Sequence, residues 1–157
     1  ISMNHIRKKN YSDVYRLIYQ ERRISKSRIA SSLEMSLPTV TQHLSTLETE
    51  QLIEKQAQIA SGIGRKAAAY IIRPEVRVSV GVEILPDHIT AVVLNLYGIV
   101  IGEKKAQLPF SEKDEYFASL RDLVYELLQD LHISDDAVLG AGIGIQGLVS
   151  EDGQRIL

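Results

Sequence analysis

Two serines, Ser25 and Ser36, each stand directly before a short run of helix formers, and together they constrain this chain more than any other feature. A serine side chain placed there accepts a hydrogen bond from an otherwise unpaired amide of the first helical turn, so each serine marks a helix start. After Ser25, the residues Ile29, Ala30 and Leu33 recur at helical spacing and predict a helix over 26–33. Glu34 to Ser36 is a tight turn. After Ser36, Pro38 sits in the first turn, where its missing N–H costs nothing, and Val40, Leu44 and Leu47 follow at spacings of four and three. Upstream, Asn10 or Ser12 can cap a helix reaching about Arg22, with Val14, Leu17 and Ile18 at helical spacing and Tyr11, Tyr15 and Tyr19 adding amphipathic bulk. Two short helices joined by a tight turn, the second opening with small and polar residues, make a helix-turn-helix.

The third helix shows which surface does the work. With Val40, Leu44 and Leu47 inward, a rotation of roughly 100° per residue sets Pro38, Thr41, Gln42, Ser45 and Thr49 on the opposite face, flanked by Thr39 and Thr46. A surface that docks on protein wants aromatic or aliphatic anchors, whereas entry into a major groove wants short hydrogen-bonding side chains. Gln42 is the candidate base reader, because its amide matches N6 and N7 of adenine. Ser36, Thr39 and Thr41 are expected at phosphate oxygens near the helix N-terminus. Lys26, Pro38 and Ser45 complete the candidate contacts on the two helices. His43 lies nearer the buried edge and is read as structural.

Beyond the third helix, 52–59 and 67–72 read as strands, separated by a tip, Ala60 to Lys66, that contains Gly62 and Gly64. This is a hairpin wing. Its glycines allow close approach of backbone to another surface, and Arg65 and Lys66 bring positive charge to the point that would overhang phosphates or the minor groove.

Charge divides the chain where the pattern does. The net charge of -2 conceals 12 Lys/Arg against 6 Asp/Glu in 1–73 and 6 against 14 in 74–157. The first part is suited to face a polyanion and the second to face away, which implies two domains, 1–73 and 74–157, with Arg73-Pro74-Glu75 as the linker. No run approaches the roughly 18 apolar residues of a membrane span, and the polar, basic start carries no apolar signal region, so a soluble, cytoplasmic protein is expected. There is no cysteine, and the histidines His5, His43, His88 and His132 are scattered, so no metal site, cofactor or catalytic residue is expected.

The second domain begins with three β-branched runs, 79–84, 88–96 and 99–108, that read as an antiparallel meander. Ser111 opens a helix with Asp114 placed as in a capping box, and Phe117, Leu120, Val124, Leu127, Leu128 and Leu131 form its expected buried stripe. A strand over 137–145 follows, then a glycine-rich turn and a hairpin over 148–156. The order βββαβ describes an α/β lobe.

Taken in succession, the Ser36-Leu37-Pro38-Thr39-Val40-Thr41 helix opening, the Gly64-Arg65-Lys66 tip, the Val80-Gly81-Val82-Glu83-Ile84 strand and the Gly142-Ile143-Gly144-Ile145-Gln146-Gly147-Leu148-Val149 stretch resemble the repressor branch of the ROK family, over essentially all of 10–157. That family comprises repressors and sugar kinases with an actin-like, ribonuclease H-like fold. The resemblance implies a sequence-specific transcriptional regulator of sugar uptake or metabolism genes, a two-fold symmetric double-stranded operator, a homodimer or higher homo-oligomer, and a sugar or sugar phosphate effector in the full-length protein. It also places Gly144, Gln146 and Gly147 near the effector pocket, with Gln146 where the family pattern has proline. Because the family continues with a catalytic-type Asp, most sugar contacts and a zinc site, the resemblance implies that the sequence stops partway through its second domain.

Two rivals remain, a ROK-type sugar kinase with an appended DNA-binding domain and a winged-helix protein-interaction module. Family kinases carry an Asp-x-Gly-Gly-Thr loop for ATP phosphates, and the matching stretch here, Glu83-Ile84-Leu85-Pro86-Asp87, has no glycine and includes a proline that removes an amide donor. Salt separates the interaction module from the DNA reader, since phosphate neutralisation makes DNA affinity fall steeply with ionic strength.

Overall fold

The computed structural model describes residues 3–56, 68–147 and 150–152. The chain divides into two compact units, Ile1–Arg73 and Pro74–Leu157.

In the first unit, helix α1 spans Met3–Glu21, strand β1 Ile24–Ser25, helix α2 Lys26–Ser32 and helix α3 Leu37–Thr49. Strands β2, Ile53–Gln56, and β3, Ala69–Ile72, complete it. The start of α1 differs from the sequence expectation: Asn10 and Ser12 lie within the helix rather than at its cap. No glycine or proline interrupts 3–12, and its Lys and Arg residues are good helix formers, so nothing stops the helix from extending. Ser25 and Ser36 act as read. The Ser25 Oγ accepts from the Arg28 amide at 3.4 Å, and the Ser36 Oγ accepts from the Thr39 amide at 3.3 Å. Between α2 and α3, Glu34 takes a positive φ of 53°, and the Met35 amide donates to the Ala30 carbonyl at 3.0 Å, which closes the turn.

Val14 and Ile18 of α1, Ile29 of α2, and Val40, Leu44 and Leu47 of α3 converge in one core, which Ile24, Ile53 and Ile72 extend onto the sheet. The sheet order is β1-β3-β2, all antiparallel. Strand β1 was not legible, because two residues carry no alternation to read. Residues 57–67, which include the wing tip and both Arg65 and Lys66, lie outside the described residues.

The second unit is a four-stranded sheet, order β6-β5-β4-β7, from β4 (Val78–Ile84), β5 (His88–Asn95), β6 (Val100–Gln107) and β7 (Val138–Ile145), with helix α4 over Asp114–Asp130. The first three strands form the expected antiparallel meander, and β7 returns parallel to β4 after α4. Alternation decides the buried face: Val78, Val80, Val82 and Ile84 of β4 and Ile89, Ala91 and Val93 of β5 point toward α4 and are buried with its Leu123, Leu127 and Leu128. Gly98, with φ 71°, makes the tight turn between β5 and β6.

Two expectations for α4 are corrected. Its N-cap is Lys113, with no side-chain hydrogen bond, and the Ser111 Oγ instead accepts from the Lys113 amide at 3.3 Å, so no capping box forms with Asp114. Phe117 is exposed and Tyr116 takes its place in the core, in register with Leu120, Leu123 and Leu127. Phe117 lies one residue further round the helix and packs edge-on against the Tyr116 ring at 5.4 Å. The expected hairpin over 148–156 falls mostly outside the described residues.

Candidate nucleic-acid interface

The buried residues of α3 are Val40, His43, Leu44 and Leu47, which turns Pro38, Thr41, Gln42, Ser45 and Thr49 to the exterior, all of them exposed. Thr39 and Thr46 are half-buried at the flanks. The hydroxyls of Thr41, Thr46 and Thr49 donate to the carbonyls one turn back, of Leu37, Gln42 and Ser45, at 2.7, 3.1 and 2.9 Å. These threonines therefore present methyl groups and acceptor lone pairs more readily than free O–H donors. The Ser36 hydroxyl is engaged with its cap and lies 2.8 Å from Thr39 Oγ1. Gln42 and Ser45 are left with side chains that make no hydrogen bond among the described residues. Their polar atoms are available to an incoming ligand.

The helix face thus offers amide and hydroxyl groups between small apolar surfaces, without charge until Glu48. Base edges in a major groove ask for such donor and acceptor pairs and tolerate a threonine methyl against a thymine methyl. Leu37, half-exposed at 50% in the first turn of α3, is an apolar addition to this face that the sequence pattern did not bring out. Its place directly before Pro38, outside the Val40-Leu44-Leu47 stripe, was the available signal. Lys26 is half-buried in the first turn of α2, and its neighbour Arg28 sits 3.5 Å from Glu21.

His43 is 4% exposed, its ring in a T-shaped contact with Tyr11 at 6.3 Å between centroids. Burial, and then the positive charge of Arg7, hold its pKa below the ordinary histidine value. It is a structural residue of the α1–α3 contact.

At the second unit's sheet, β4 and β7 end side by side, with Ile84 paired to Ile145. The turn beyond β4 is closed: the Leu85 amide donates to the His88 carbonyl at 3.0 Å and the Pro86 carbonyl accepts from Phe110. His88 Nδ1 lies 2.6 Å from Asp87 Oδ1, and this hydrogen bond holds the Asp87 carboxyl below its usual range. A loop that binds phosphate needs several unpaired amides aimed outward, and this turn has one amide spent and one replaced by proline. Gly144 lies within β7, whereas Gln146 and Gly147 lie past its end, where the Gln146 amide reaches the Ile84 carbonyl at 3.4 Å. All three are exposed. Among the described residues, no group of three or more His, Asp or Glu is placed to hold a metal ion.

A winged helix-turn-helix followed by a mixed-sheet α/β lobe defines a class of DNA-binding regulator. The model of the MarR family, a winged-helix family, matches residues 13–58. Over 152 residues the chain is 22% identical to the xylose repressor of Bacillus subtilis (strain 168), covering 97% of this chain and 39% of that one. It is 24% identical over 145 residues to a putative xylose repressor of Caldicellulosiruptor sp. (strain Rt8B.4), covering 92% and 36%. A solved ROK family transcriptional regulator, a homolog of the E. coli MLC protein, superposes with a TM-score of 0.64 at 23% identity over 98% of this chain and 39% of that one. The resemblance to the repressor branch of the ROK family therefore holds in sequence and in fold. The chain spans about two fifths of the length of these relatives.

Proposed function

We propose that this chain is the DNA-reading part of a sugar-responsive transcriptional repressor that binds a two-fold symmetric operator as a homodimer. The uncharged, hydrogen-bonding outer face of α3, with Gln42 and Ser45 unengaged at its centre, is the observation that carries this reading. Gln42 reads adenine, Thr41 and Leu37 meet thymine methyls or sugars, and Lys26, Arg65 and Lys66 neutralise phosphates on either side. Two-fold symmetry follows from the homodimer, since each protomer presents one α3 to one half-site.

The effector is a sugar or sugar phosphate, with xylose the first to test in view of the xylose repressors the chain is similar to. It is expected at the carboxyl ends of the parallel strands β4 and β7, where Gly144, Gln146 and Gly147 lie and where open α/β sheets bind ligands. A sugar kinase activity is disfavoured by the closed Leu85–His88 turn, and undetectable ATP turnover with added hexoses or pentoses is the expected result.

The test is selection from a random duplex library at near-physiological salt, followed by sequencing of what the chain retains. Enrichment of a two-fold symmetric motif supports the proposal. Absence of any salt-sensitive DNA binding overturns it in favour of a protein-interaction module.

A further inference from the structure

Where α1 passes the second half of α3 lies a cleft of about 380 Å³, lined by Arg7, Lys8, Tyr11, His43, Thr46 and Glu50. Its two cations are exposed, and neither makes an ion pair or hydrogen bond among the described residues. This sets them apart from Arg28, which faces Glu21, and from Arg22, whose guanidinium lies 5.4 Å over the Tyr19 ring. The acidic member of the lining, Glu50, accepts the Tyr11 hydroxyl. Thr46 spends its hydroxyl on the Gln42 carbonyl, so it forms wall rather than donor. What the cleft offers to solvent is two cations that make no ion pair among the described residues, with the Glu50 carboxylate engaged by Tyr11 as its one acidic member.

Position gives that pair a partner. Thr46 lies next to Ser45 and one turn beyond Gln42, so the cleft borders the outer face of α3 directly. A helix seated in a major groove about 12 Å wide has a sugar-phosphate strand along each flank, and cations displaced from the helix by one neighbouring element fall against that strand. We infer that Arg7 and Lys8 form a phosphate clamp on the DNA strand that flanks α3 on its α1 side, with the cleft as the seat of the phosphate. The inference rests on α3 being the DNA-reading helix. It gives a role to the start of α1: among the side chains whose burial is described, Val14 is the first buried one, and Arg7, Lys8 and Lys9 precede it.

The test is binding of the 157-residue chain to a fluorescent random-sequence duplex across a salt series, for the natural sequence, Arg7→Gln/Lys8→Gln, and the charge-preserving Arg7→Lys/Lys8→Arg. Removing two phosphate contacts is expected to reduce the slope of log affinity against log salt by about 2, while the charge-preserving pair keeps the natural slope. The loss should be as large on random duplex as on any selected site. A natural slope in the Gln pair, with intact helical circular dichroism, overturns the clamp while leaving α3 as the reader. If the natural chain itself shows no salt-sensitive binding, the reading of α3 falls and the clamp falls with it. Sedimentation completes the set: an unchanged slope together with loss of self-association would assign Arg7 and Lys8 to a contact between two copies instead.

Discussion

The Tyr11 hydroxyl donates to a carboxylate oxygen of Glu50, tying the middle of α1 to the residue that caps α3, across a sequence separation of 39 positions. The bond couples the C-terminal end of α3 to α1. Because Glu50 is exposed, the net contribution is modest, about 1 kcal/mol, and Tyr11→Phe should lower the urea midpoint accordingly without changing the denaturant slope. Burial first, and then the hydrogen bond and charge of Glu50, raise the Tyr11 pKa above the ordinary tyrosine value. A raised folded-state pKa means stability that is complete below about pH 10 and is lost as pH rises through the folded value. The difference between Tyr11 and its Phe variant should therefore narrow in strong alkali, and a difference that stays constant there would show that the phenol proton is not engaged.

On the proposed reading, Gln42 and Arg65 separate base reading from charge attraction. Gln42→Ala should cost about 1 to 3 kcal/mol on the selected site and leave random DNA unaffected, because a bidentate amide discriminates between bases without adding charge. Arg65→Ala should weaken both duplexes and lower the salt slope by about one. Fluorescence anisotropy on the two duplexes checks both, and an unchanged site preference in Gln42→Ala would refute the assignment of the outer face of α3 to base reading.

How far such positions could be read ahead of the structure depended on the range of the physics that sets them. Ser25 and Ser36 were legible because a cap is a bond between residues three apart, and the stripe Val40-Leu44-Leu47 because a helix repeats within two turns. The pairing of β1 with β3 joins Ile24 to Tyr70, and no local pattern announces a contact over that distance. The Phe117 and Tyr116 exchange arose because both fit a helical period, and only the placement of the sheet against α4 decides between them. For the site, the outer face of α3 followed from the inner one by rotation. The cations of the α1 cleft did not, since their surroundings are set by a second helix rather than by their own.

His43 predicts an acid-labile contact between α1 and α3. Burial and the neighbouring Arg7 lower its pKa from the ordinary 6.5, so the fold prefers the neutral ring and the unfolded chain takes up a proton first. The contribution is complete above about pH 6.5 and is lost as pH falls below it. The thermal midpoint should therefore drop as pH falls below about 6.5 in the natural chain, and less steeply in His43→Gln, whose side chain cannot be charged. Equal pH dependence in the two proteins would assign the acid transition to other groups.

Gly102 in β6 leaves room for Leu131, the residue that caps the end of α4. A Cβ at position 102 would stand 2.6 Å from one Leu131 Cδ, 3.1 Å from the other and 3.2 Å from its Cγ, so the whole branched end of the leucine would have to move. Rotation of a terminal methyl cannot relieve a clash that includes Cγ. Gly102→Ala should therefore destabilise the second unit by about 1 to 3 kcal/mol despite the strand's preference for any residue over glycine. Leu131→Ala alone opens a partly buried site and should cost a comparable amount, but the double variant should lose less than the sum, because the added methyl enters space the leucine has vacated. A double-mutant cycle by urea unfolding measures this coupling. Additive losses would mean that β6 shifts away from α4 to accept the alanine, and that the sheet edge is looser than the close approach at Gly102 indicates.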